Sequence, residues 1–421
     1  MDRSLITTIK NIKGNPRICV FTEPFWGLSM NLCLPYASVY MLALGLNDFQ
    51  VGLTATIGML SQGVVAFLSG PITDKMGRRR ATAVFDFIAW CIPCLIWWRA
   101  EGFWFFAVAA VLNSALQVAE NSWYCLLIED AEKSEIVSLN TLTTICGQFS
   151  VFFVPISAIL ISHLTLVPAI RILYINGFVV MTLKVVLLYI FGKETRMGMI
   201  RMKETHGKSI LSLASGYGAV LKLVIKSKGT IFALTVSVIV GIVAIVSITF
   251  WPVLVTQKLL VPDKYLPFFL IIKSAMAILF FFFVVPHFND RLLKSPLLVG
   301  FACLFIGQLI LILAPVGGVQ MYALLCVSLL FDGFGSAFLF ALSKSLVHFH
   351  VNSQERARVQ AILSMIIMAA TAPFGWIGGM LSEVSRNLPF VLNLVIMLAG
   401  FFTVLVYYGK NPQPDAVENA A

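Results

Sequence analysis

GPITDKMGRRR, residues 70–80, forms a short polar break between two long apolar stretches at 49–72 and 81–98. Each of these stretches is long enough to cross the hydrocarbon core of a bilayer, about 30 Å thick, as an α-helix. The glycine at position 77 permits a tight turn, and basic residues are typical of the headgroup level. The break therefore predicts a loop between two membrane-spanning helices.

The same apolar pattern extends along the whole chain. Hydrophobic residues make up 59% of the 421 residues and charged residues only 12%, and the mean hydropathy is +0.91. This leaves too little polar surface to cover a water-soluble globule, and the continuous runs exclude the alternating pattern of a barrel. We number the predicted spans as segments 1 to 12: 17–44, 49–72, 81–98, 102–128, 140–163, 170–192, 229–256, 262–286, 295–314, 318–347, 358–382 and 387–408. The predicted fold class is an all-α membrane protein with twelve transmembrane helices.

The distribution of basic residues predicts the orientation. The formal net charge is +10, from 30 Lys and Arg against 20 Asp and Glu. With the N-terminus in the cytoplasm, these residues concentrate in the tails and alternate loops on that side, as the positive-inside rule requires. The exceptions are Arg99, Arg171, Lys258, Lys264 and Arg386 in outer loops, and Lys184, Lys273 and Lys344 within segments. The charge thus indicates membrane topology and not nucleic-acid binding, and both termini are expected in the cytoplasm.

The chain divides into two blocks of six segments. The predicted N-terminal bundle covers 1–192, a basic cytoplasmic linker covers 193–228, and the C-terminal bundle with a short tail covers 229–421. Apolar residues and lysines within 209–226 predict a short helix at the headgroup interface. A degenerate copy of the stretch at 70–80 lies at 286–294. In it, Asp290 lies 216 residues after Asp74 and is followed by Arg291. The two blocks are therefore interpreted as six-helix pseudo-repeats of the same topology.

Residues 70–80 match every fixed position of Gly-x-x-x-Asp-[Arg/Lys]-x-Gly-[Arg/Lys]-[Arg/Lys], and on this motif the chain resembles the major facilitator superfamily. The resemblance implies the twelve-helix fold of a secondary transporter and a gating role for the motif. It assigns that role to Gly70, Asp74, Gly77 and Arg78, and in the second copy to Asp290 and Arg291. It further implies that Asp74 faces the positive end of segment 11 while the cytoplasmic side is closed. The alternative is a loop that only sets topology, which explains the basic residues but not the Gly and Asp spacing.

Ionisable and polar residues within the segments are costly in a bilayer and are candidate sites for a solute or a proton. Two stripes have helical spacing: Glu23, Gly27, Asn31 and Ser38 in segment 1, and Asn113, Gln117, Glu120, Asn121 and Tyr124 in segment 4. Both stripes are expected to line a cavity. Lys273 in segment 8 and Asp332 in segment 10 have similar depth and opposite charge, which favours an ion pair that is either structural or solute-binding. Asp86 and Lys184 lie in segments that flank the cavity in this superfamily, and a structural role is favoured for them.

Four acidic residues at the inner end of segment 4 are interpreted as solvated, with one of them a candidate for the gate network: Glu129, Asp130, Glu132 and Glu135.

Eight cysteines are scattered singly apart from Cys91 and Cys94, which lie within an apolar segment, so no disulfide and no metal site are predicted. No nucleotide-binding Gly-x-x-x-x-Gly-Lys-[Ser/Thr] run is present, and no cofactor or enzymatic activity is expected.

The functional hypothesis is secondary active transport of a small organic solute by alternating access, with a proton as the coupling ion. The substrate- and proton-binding candidates are Glu23, Asn31, Asn113, Gln117, Glu120, Lys273 and Asp332. A drug or metabolite efflux antiporter is the alternative to an uptake symporter, and a transport-inactive membrane sensor is the alternative from a different class. The chain is expected to be a monomer in a cell membrane, with a bacterial inner membrane preferred.

Overall fold

The computed structural model describes residues 12–132, 135–214, 228–283, 293–349 and 356–410. Over these ranges the regular secondary structure is helical, and they contain no β-strand. The first six segments and the linker contain the α-helices Gly14–Asn31, Ala37–Ala43, Asp48–Met76, Arg78–Asp86, Ile92–Trp98, Phe103–Asn113, Leu116–Ile128, Ile136–Phe149, Pro155–Leu164, Leu166–Phe191, Arg196–Glu204 and Ile210–Ala214. The last six contain Lys228–Val253, Leu266–Phe283, Lys294–Leu313, Gly318–Phe349, Arg356–Thr371, Pro373–Val384 and Leu388–Lys410. The predicted all-α membrane fold class is confirmed.

Ten helical spans in these ranges are long and apolar enough to cross a bilayer, and they correspond to all predicted segments except 1 and 8. Segment 1 is interrupted after Asn31 by a 3₁₀ turn, Leu34–Tyr36, because Pro35 cannot donate a backbone hydrogen bond. Segment 8 is helical over Leu266–Phe283 and then leaves the described ranges. Of the predicted interfacial helix at 209–226, the structure describes Ile210–Ala214, and the remainder lies outside the described residues.

Proline interrupts segments 5 and 11 at corresponding places. Pro155 begins the second helix of segment 5, and Pro373 begins the second helix of segment 11. Both prolines lack the N–H that would continue the preceding helix, so the series of helical backbone hydrogen bonds is interrupted there. Their separation of 218 residues is close to the offset of the repeated motif.

The chain forms two compact units. Unit 1 comprises Met1–Leu44 and Ile57–Gly216, and unit 2 comprises Gly45–Thr56 and Tyr217–Ala421. In unit 1, segment 1 packs against segments 4, 5 and 6, and segment 3 packs against segments 4 and 6. In unit 2, segment 9 packs against segments 10 and 12, and segment 7 packs against segment 12. The domain bounds at 192 and 229 remain a prediction, with the division after Gly216 falling inside the proposed linker.

Within unit 2, the first turns of segment 2 pack closely against the glycine-rich part of segment 11. A Cβ on Gly375 would lie 2.9 Å from the carbonyl oxygen of Gly52, and a Cβ on Gly379 would lie 2.6 Å from that of Asp48. Thr56 Oγ1 donates a hydrogen bond to Ala372 O (2.7 Å) across the same contact. The glycines of segment 11 thus allow the two helices to approach closely.

We expect Gly379→Ala to destabilise the protein, because its new methyl group meets a backbone oxygen that cannot move aside. Overpacking of this kind costs about 1–3 kcal/mol. Gly409→Ala is the matched control, since a Cβ at this helical position meets nothing within 4 Å. Thermal unfolding of the detergent-solubilised variants measures the difference. Equal unfolding temperatures for the two variants would contradict the packing.

Candidate functional site

The predicted polar face of segment 1 is directed toward segment 5. A Cβ on Gly27 would lie 2.9 Å from the carbonyl oxygen of Gly147, so this crossing requires glycine. Asn31 Nδ2 donates a hydrogen bond to Ser150 Oγ (2.8 Å) one turn further along. Glu23, one turn before Gly27, approaches the same helix, since a Cβ on Gly147 would lie 3.9 Å from Glu23 Oε1. Glu23 and Asn31 thus lie at a helix–helix contact within unit 1.

Asp86 and Lys184 form a buried ion pair between segments 3 and 6. Lys184 Nζ lies 3.4 Å from Asp86 Oδ2, and the side chains are 5% and 7% exposed. Glu23 lies close enough to interact electrostatically with both. Sequence reasoning treated these two residues separately and missed their contact. The available signal was position along the segment, because Asp86 lies about two helical turns after the start of segment 3 and Lys184 about two turns before the end of segment 6.

Asn113 stabilises an irregular turn of segment 3. Residues Phe87–Cys91 form a π-helical turn directly after Asp86. Asn113 Nδ2 donates a hydrogen bond to Ala89 O (2.8 Å), a carbonyl within that turn. Such turns leave backbone groups without their usual helical partner, and a side-chain donor can satisfy one of them. The structure thus places this candidate binding residue on the backbone of the segment that carries Asp86.

The other members of the segment 4 stripe divide between helix contact and exposure. Gln117 Nε2 lies 3.5 Å from Gln62 Oε1 on segment 2, and Asn121 Nδ2 donates to Thr73 Oγ1 (3.1 Å) on the same segment. Glu120 lies on the exposed side of the helix. Glu120 and Tyr124 are therefore the exposed members of the stripe, whereas Asn113, Gln117 and Asn121 are partly buried.

Lys273 and Asp332 form an ion pair in unit 2, with Nζ and Oδ2 2.6 Å apart. The two helices come close because position 333 is glycine: a Cβ there would lie 3.2 Å from the carbonyl oxygen of Lys273. On the other side, a Cβ on Gly307 would lie 3.0 Å from the backbone nitrogen of Asp332. The Lys273 side chain is 35% exposed and that of Asp332 14%. Segments 8, 9 and 10 thus position a charged pair whose lysine side chain is partly exposed.

The motif between segments 2 and 3 forms an ion network in unit 1. The Arg78 guanidinium donates to Asp74 Oδ1 (2.9 Å) and to both carboxylate oxygens of Glu129 at the inner end of segment 4. Arg78 is buried with a side chain 5% exposed, whereas the Asp74 side chain is 35% exposed. Glu129 is therefore an acidic residue of its group that joins this ion network.

Two further gating candidates are placed differently from each other. Gly77 has a φ of 82°, a left-handed conformation that glycine adopts without strain, and it separates two helices. Gly70 instead lies inside the helix Asp48–Met76 and not at its end. Asp290 and Arg291, the candidates of the second motif copy, lie outside the described residues.

The linker begins by docking onto the motif. Glu194 Oε1 accepts a hydrogen bond from the backbone N–H of Arg78 (2.8 Å), and Oε2 accepts one from that of Arg79 (3.1 Å). These are N–H groups of the first helical turn, which lack intrahelical partners and favour a negative charge. Thr195 caps the helix Arg196–Glu204 by accepting from Gly198 N (2.9 Å). The linker and the start of segment 3 thus stabilise each other.

Unit 2 contains an ion pair that was not predicted. Asp48, at the start of segment 2, pairs with Arg386, which precedes segment 12, and the Asp48 side chain is 2% exposed. The backbone N–H of Phe49 donates to Glu383 Oε1 (3.3 Å) beside it. These contacts accompany the close glycine packing of segments 2 and 11. Sequence alone gave no sign of them, because both charged residues lie at predicted segment ends where solvation is the usual expectation.

We expect Glu194→Gln to loosen the linker. It removes the negative charge at the helix start and one of two acceptor oxygens, at a cost of about 1 kcal/mol. That cost corresponds to about fivefold more of the opened form and a similar rise in tryptic cleavage after Arg196, Arg201 and Lys203. Glu204→Gln is the control, because Glu204 forms only an exposed pair with Arg201. Mass spectrometry of the fragments gives the rates, and equal rates for both variants would rule out the capping role.

Comparison with solved structures identifies similar folds. A nucleoside transporter, NupG, aligns with a TM-score of 0.71 at 13% identity, covering 94% of this chain and 99% of its own. A POT family transporter in complex with a thioalcohol-conjugated peptide gives 0.69 at 12% identity, covering 94% and 96%. The human organic anion transporter MFSD10 (TETRAN) gives 0.64 at 14% identity, covering 92% and 98%. At these identities the likeness shows the fold alone.

Comparison with protein families agrees with the motif. No match is found among curated protein sequences. The family model described as Major Facilitator Superfamily matches residues 25–327 and 268–421, which together span nearly all of the described residues. The chain belongs to the Major Facilitator Superfamily.

Proposed function

We propose that this protein is a secondary active transporter that moves a small organic solute by alternating access, with protons as the driving ion. Family membership supports transport and a multi-pass membrane location. The solved structures similar in fold are named for nucleosides, peptides and organic anions, which are all small organic solutes. Transport, and not catalysis, is the proposed activity. We further propose a monomer with both termini in the cytoplasm, and a bacterial inner membrane as the preferred location.

The Lys273–Asp332 pair carries the proposal for solute binding. Charges within membrane segments are costly, and they often mark the path of a solute or an ion. Here the Lys273 side chain is 35% exposed although it lies in an apolar segment. A partly exposed lysine beside a carboxylate can bind a solute that offers both an acceptor and a donor group. This pair is therefore the proposed solute-contact site of unit 2.

Proton coupling is proposed from the carboxyl groups within the spans. Glu23, Glu120 and Asp332 are the candidates, because a carboxyl group in a bilayer is neutralised by a proton more cheaply than it is carried as a charge. Neutralisation changes which neighbours each group attracts. It can therefore shift the balance between two conformations of the transporter.

The Asp74–Arg78–Glu129 network is the proposed cytoplasmic gate. Arg78 is enclosed and bonded to two carboxylates, so its position is defined by its own unit. Asp74 keeps an exposed face, so its charge is available to a partner that approaches and leaves during the cycle. We propose this latch role for Asp74 in agreement with the motif.

The solute-binding proposal is tested with a double variant, Lys273→Gln with Asp332→Asn, which removes both charges and retains net neutrality. Removing a purely structural pair in this way costs little, whereas losing a charged contact to a solute costs about 1.5–3 kcal/mol. We expect transport to fall about tenfold or more while the unfolding temperature changes little. The matched control is Arg201→Gln with Glu204→Gln, an exposed pair in the linker.

The measurement begins with a thermal-shift screen of the full chain against uridine, alanyl-alanine, glutarate and a quaternary ammonium compound. Uptake of a stabilising probe is then followed in proteoliposomes under an imposed pH gradient. A gradient that is acidic outside drives uptake by a proton symporter, and one that is acidic inside drives uptake by a proton antiporter. The gradient direction that supports uptake therefore distinguishes the two. Unchanged uptake by a folded double variant contradicts the solute site, and uptake indifferent to a protonophore contradicts proton coupling.

For the gate, we expect Asp74→Asn to slow turnover about tenfold while the stabilisation by the solute is retained. The change removes the exposed charge but leaves Arg78 bonded to Glu129, so unit 1 remains folded. Initial uptake rates and thermal shifts measure the two effects separately. Unchanged turnover would refute the latch.

A further inference from the structure

Three ionisable side chains from three segments converge in unit 1. Lys184 of segment 6 pairs with Asp86 of segment 3, and Glu23 of segment 1 interacts electrostatically with both. Among the described residues, the structure gives Glu23 no ion pair of its own. Two carboxylates therefore share one ammonium group, and the cluster carries one negative charge in excess. An excess charge within a membrane span is costly, and a cation bound from outside the cluster neutralises it.

Four titratable side chains interact electrostatically with Glu23. Cys19 lies on its own helix, Cys146 faces it from segment 5, and Lys184 and Asp86 complete the electrostatic neighbourhood. Segment 4, which also packs against segment 1, carries the titratable residues Glu120 and Tyr124. Lys184 is the basic group among these neighbours, and it is already paired.

The second half of the chain supplies an internal comparison. Segments 1, 3 and 6 pack together in unit 1 as segments 7, 9 and 12 do in unit 2. At the motif's offset of 216 residues, the counterparts of Glu23, Asp86 and Lys184 are Ile239, Ala302 and Gly400. A Cβ on Gly400 would lie 3.1 Å from Ile239 and 2.7 Å from the ring of Phe301, the residue before Ala302.

That comparison separates folding from function. At the three equivalent positions unit 2 carries uncharged residues, and the polar contacts between its segments 7, 9 and 12 join the neutral side chains of Ser247, Gln308 and Asn393. The repeated fold therefore does not require charges at these positions. Unit 1 carries three of them, and a cluster that structure does not require is a candidate for binding.

We infer that Glu23, Asp86 and Lys184 form a proton-binding site within unit 1. Lys184 stays paired with Asp86 and positions the cluster, while the Glu23 carboxylate takes up one proton to become a carboxylic acid and releases it again. The bound proton removes the excess charge without adding a ligand that must be desolvated. This inference rests on the proposed proton coupling and assigns it to a particular group.

The cluster has a natural optical reporter. Trp26 lies three residues after Glu23, and Trp90 lies four residues after Asp86, so each is next to its carboxylate on a helix face. The two indole rings meet edge to face with centroids 5.8 Å apart. A change of charge at Glu23 therefore alters the environment of a tryptophan pair directly.

The test is a pH titration of tryptophan fluorescence on the full chain in lipid nanodiscs. We expect wild type to show a titration step that Glu23→Gln abolishes and Glu23→Asp retains. Glu101→Gln, which changes an exposed carboxylate in an outer loop, is the control and is expected to keep the step. A step that survives in folded Glu23→Gln overturns the inference. Thermal unfolding checks the fold. Should Glu23→Gln fail to fold, the carboxylic-acid infrared band is compared between wild type and Glu23→Asp, and a band unchanged in frequency overturns the inference because it then belongs to another group.

The positioning pair is tested by Asp86→Asn with Lys184→Met, which leaves the net charge unchanged. The titration step is expected to persist with a displaced midpoint, and an unchanged midpoint removes the pair from the site.

Replacing choline chloride by sodium chloride at fixed pH is expected to leave the tryptophan fluorescence unchanged. A fluorescence response to sodium that depends on Glu23 contradicts proton binding and indicates that the site binds a metal cation. Proton-driven uptake with a Glu23-independent step refutes this site alone, whereas a Glu23-dependent step without proton-driven uptake refutes the proposed coupling.

Discussion

The hydrocarbon core of a bilayer offers no hydrogen-bond partner, so each polar group within a span must find one inside the protein. This constraint explains most of the polar contacts in both units. Asn113 satisfies a carbonyl of the π-helical turn, and Asn31 bonds to Ser150. In unit 2, Gln308 Nε2 and Asn393 Nδ2 both donate to the Ser247 hydroxyl. Polar residues in a span therefore report helix contacts first and a transport pathway only where accessibility is also shown.

The sequence predicted well those features that depend on residues close together along the chain, such as the positions of the helices. The length of the apolar runs predicted the helices. Lys273 and Asp332 also paired as their depth and charge indicated. Sequence could not predict which helix faces a given stripe, because that depends on tertiary packing. The partners of Asn113 and Gln117 on segments 3 and 2, and the contact of Asp86 with Lys184, follow from that packing.

The two units handle charge in different ways. In unit 1 the Asp86–Lys184 pair is almost completely enclosed, whereas in unit 2 the Lys273 side chain is partly exposed. An enclosed cluster exchanges small species such as a proton more readily than a solute, since a solute needs room and a route for its polar groups. An accessible pair has no such restriction. The difference in burial is thus consistent with ion binding in unit 1 and solute contact in unit 2.

The stretch at 70–80 stabilises the local structure, in addition to the gating role proposed for it. Gly77 allows the turn, and Glu194 binds the N–H groups of the helix that follows, so the linker is fixed to the start of segment 3. Arg78 is enclosed and shares its guanidinium between Glu129 and Asp74. A buried cation with two acidic partners resists displacement, because breaking either contact leaves charge uncompensated. Asp74 is the exposed member of this network, and its carboxylate is therefore the charge that a moving partner can reach.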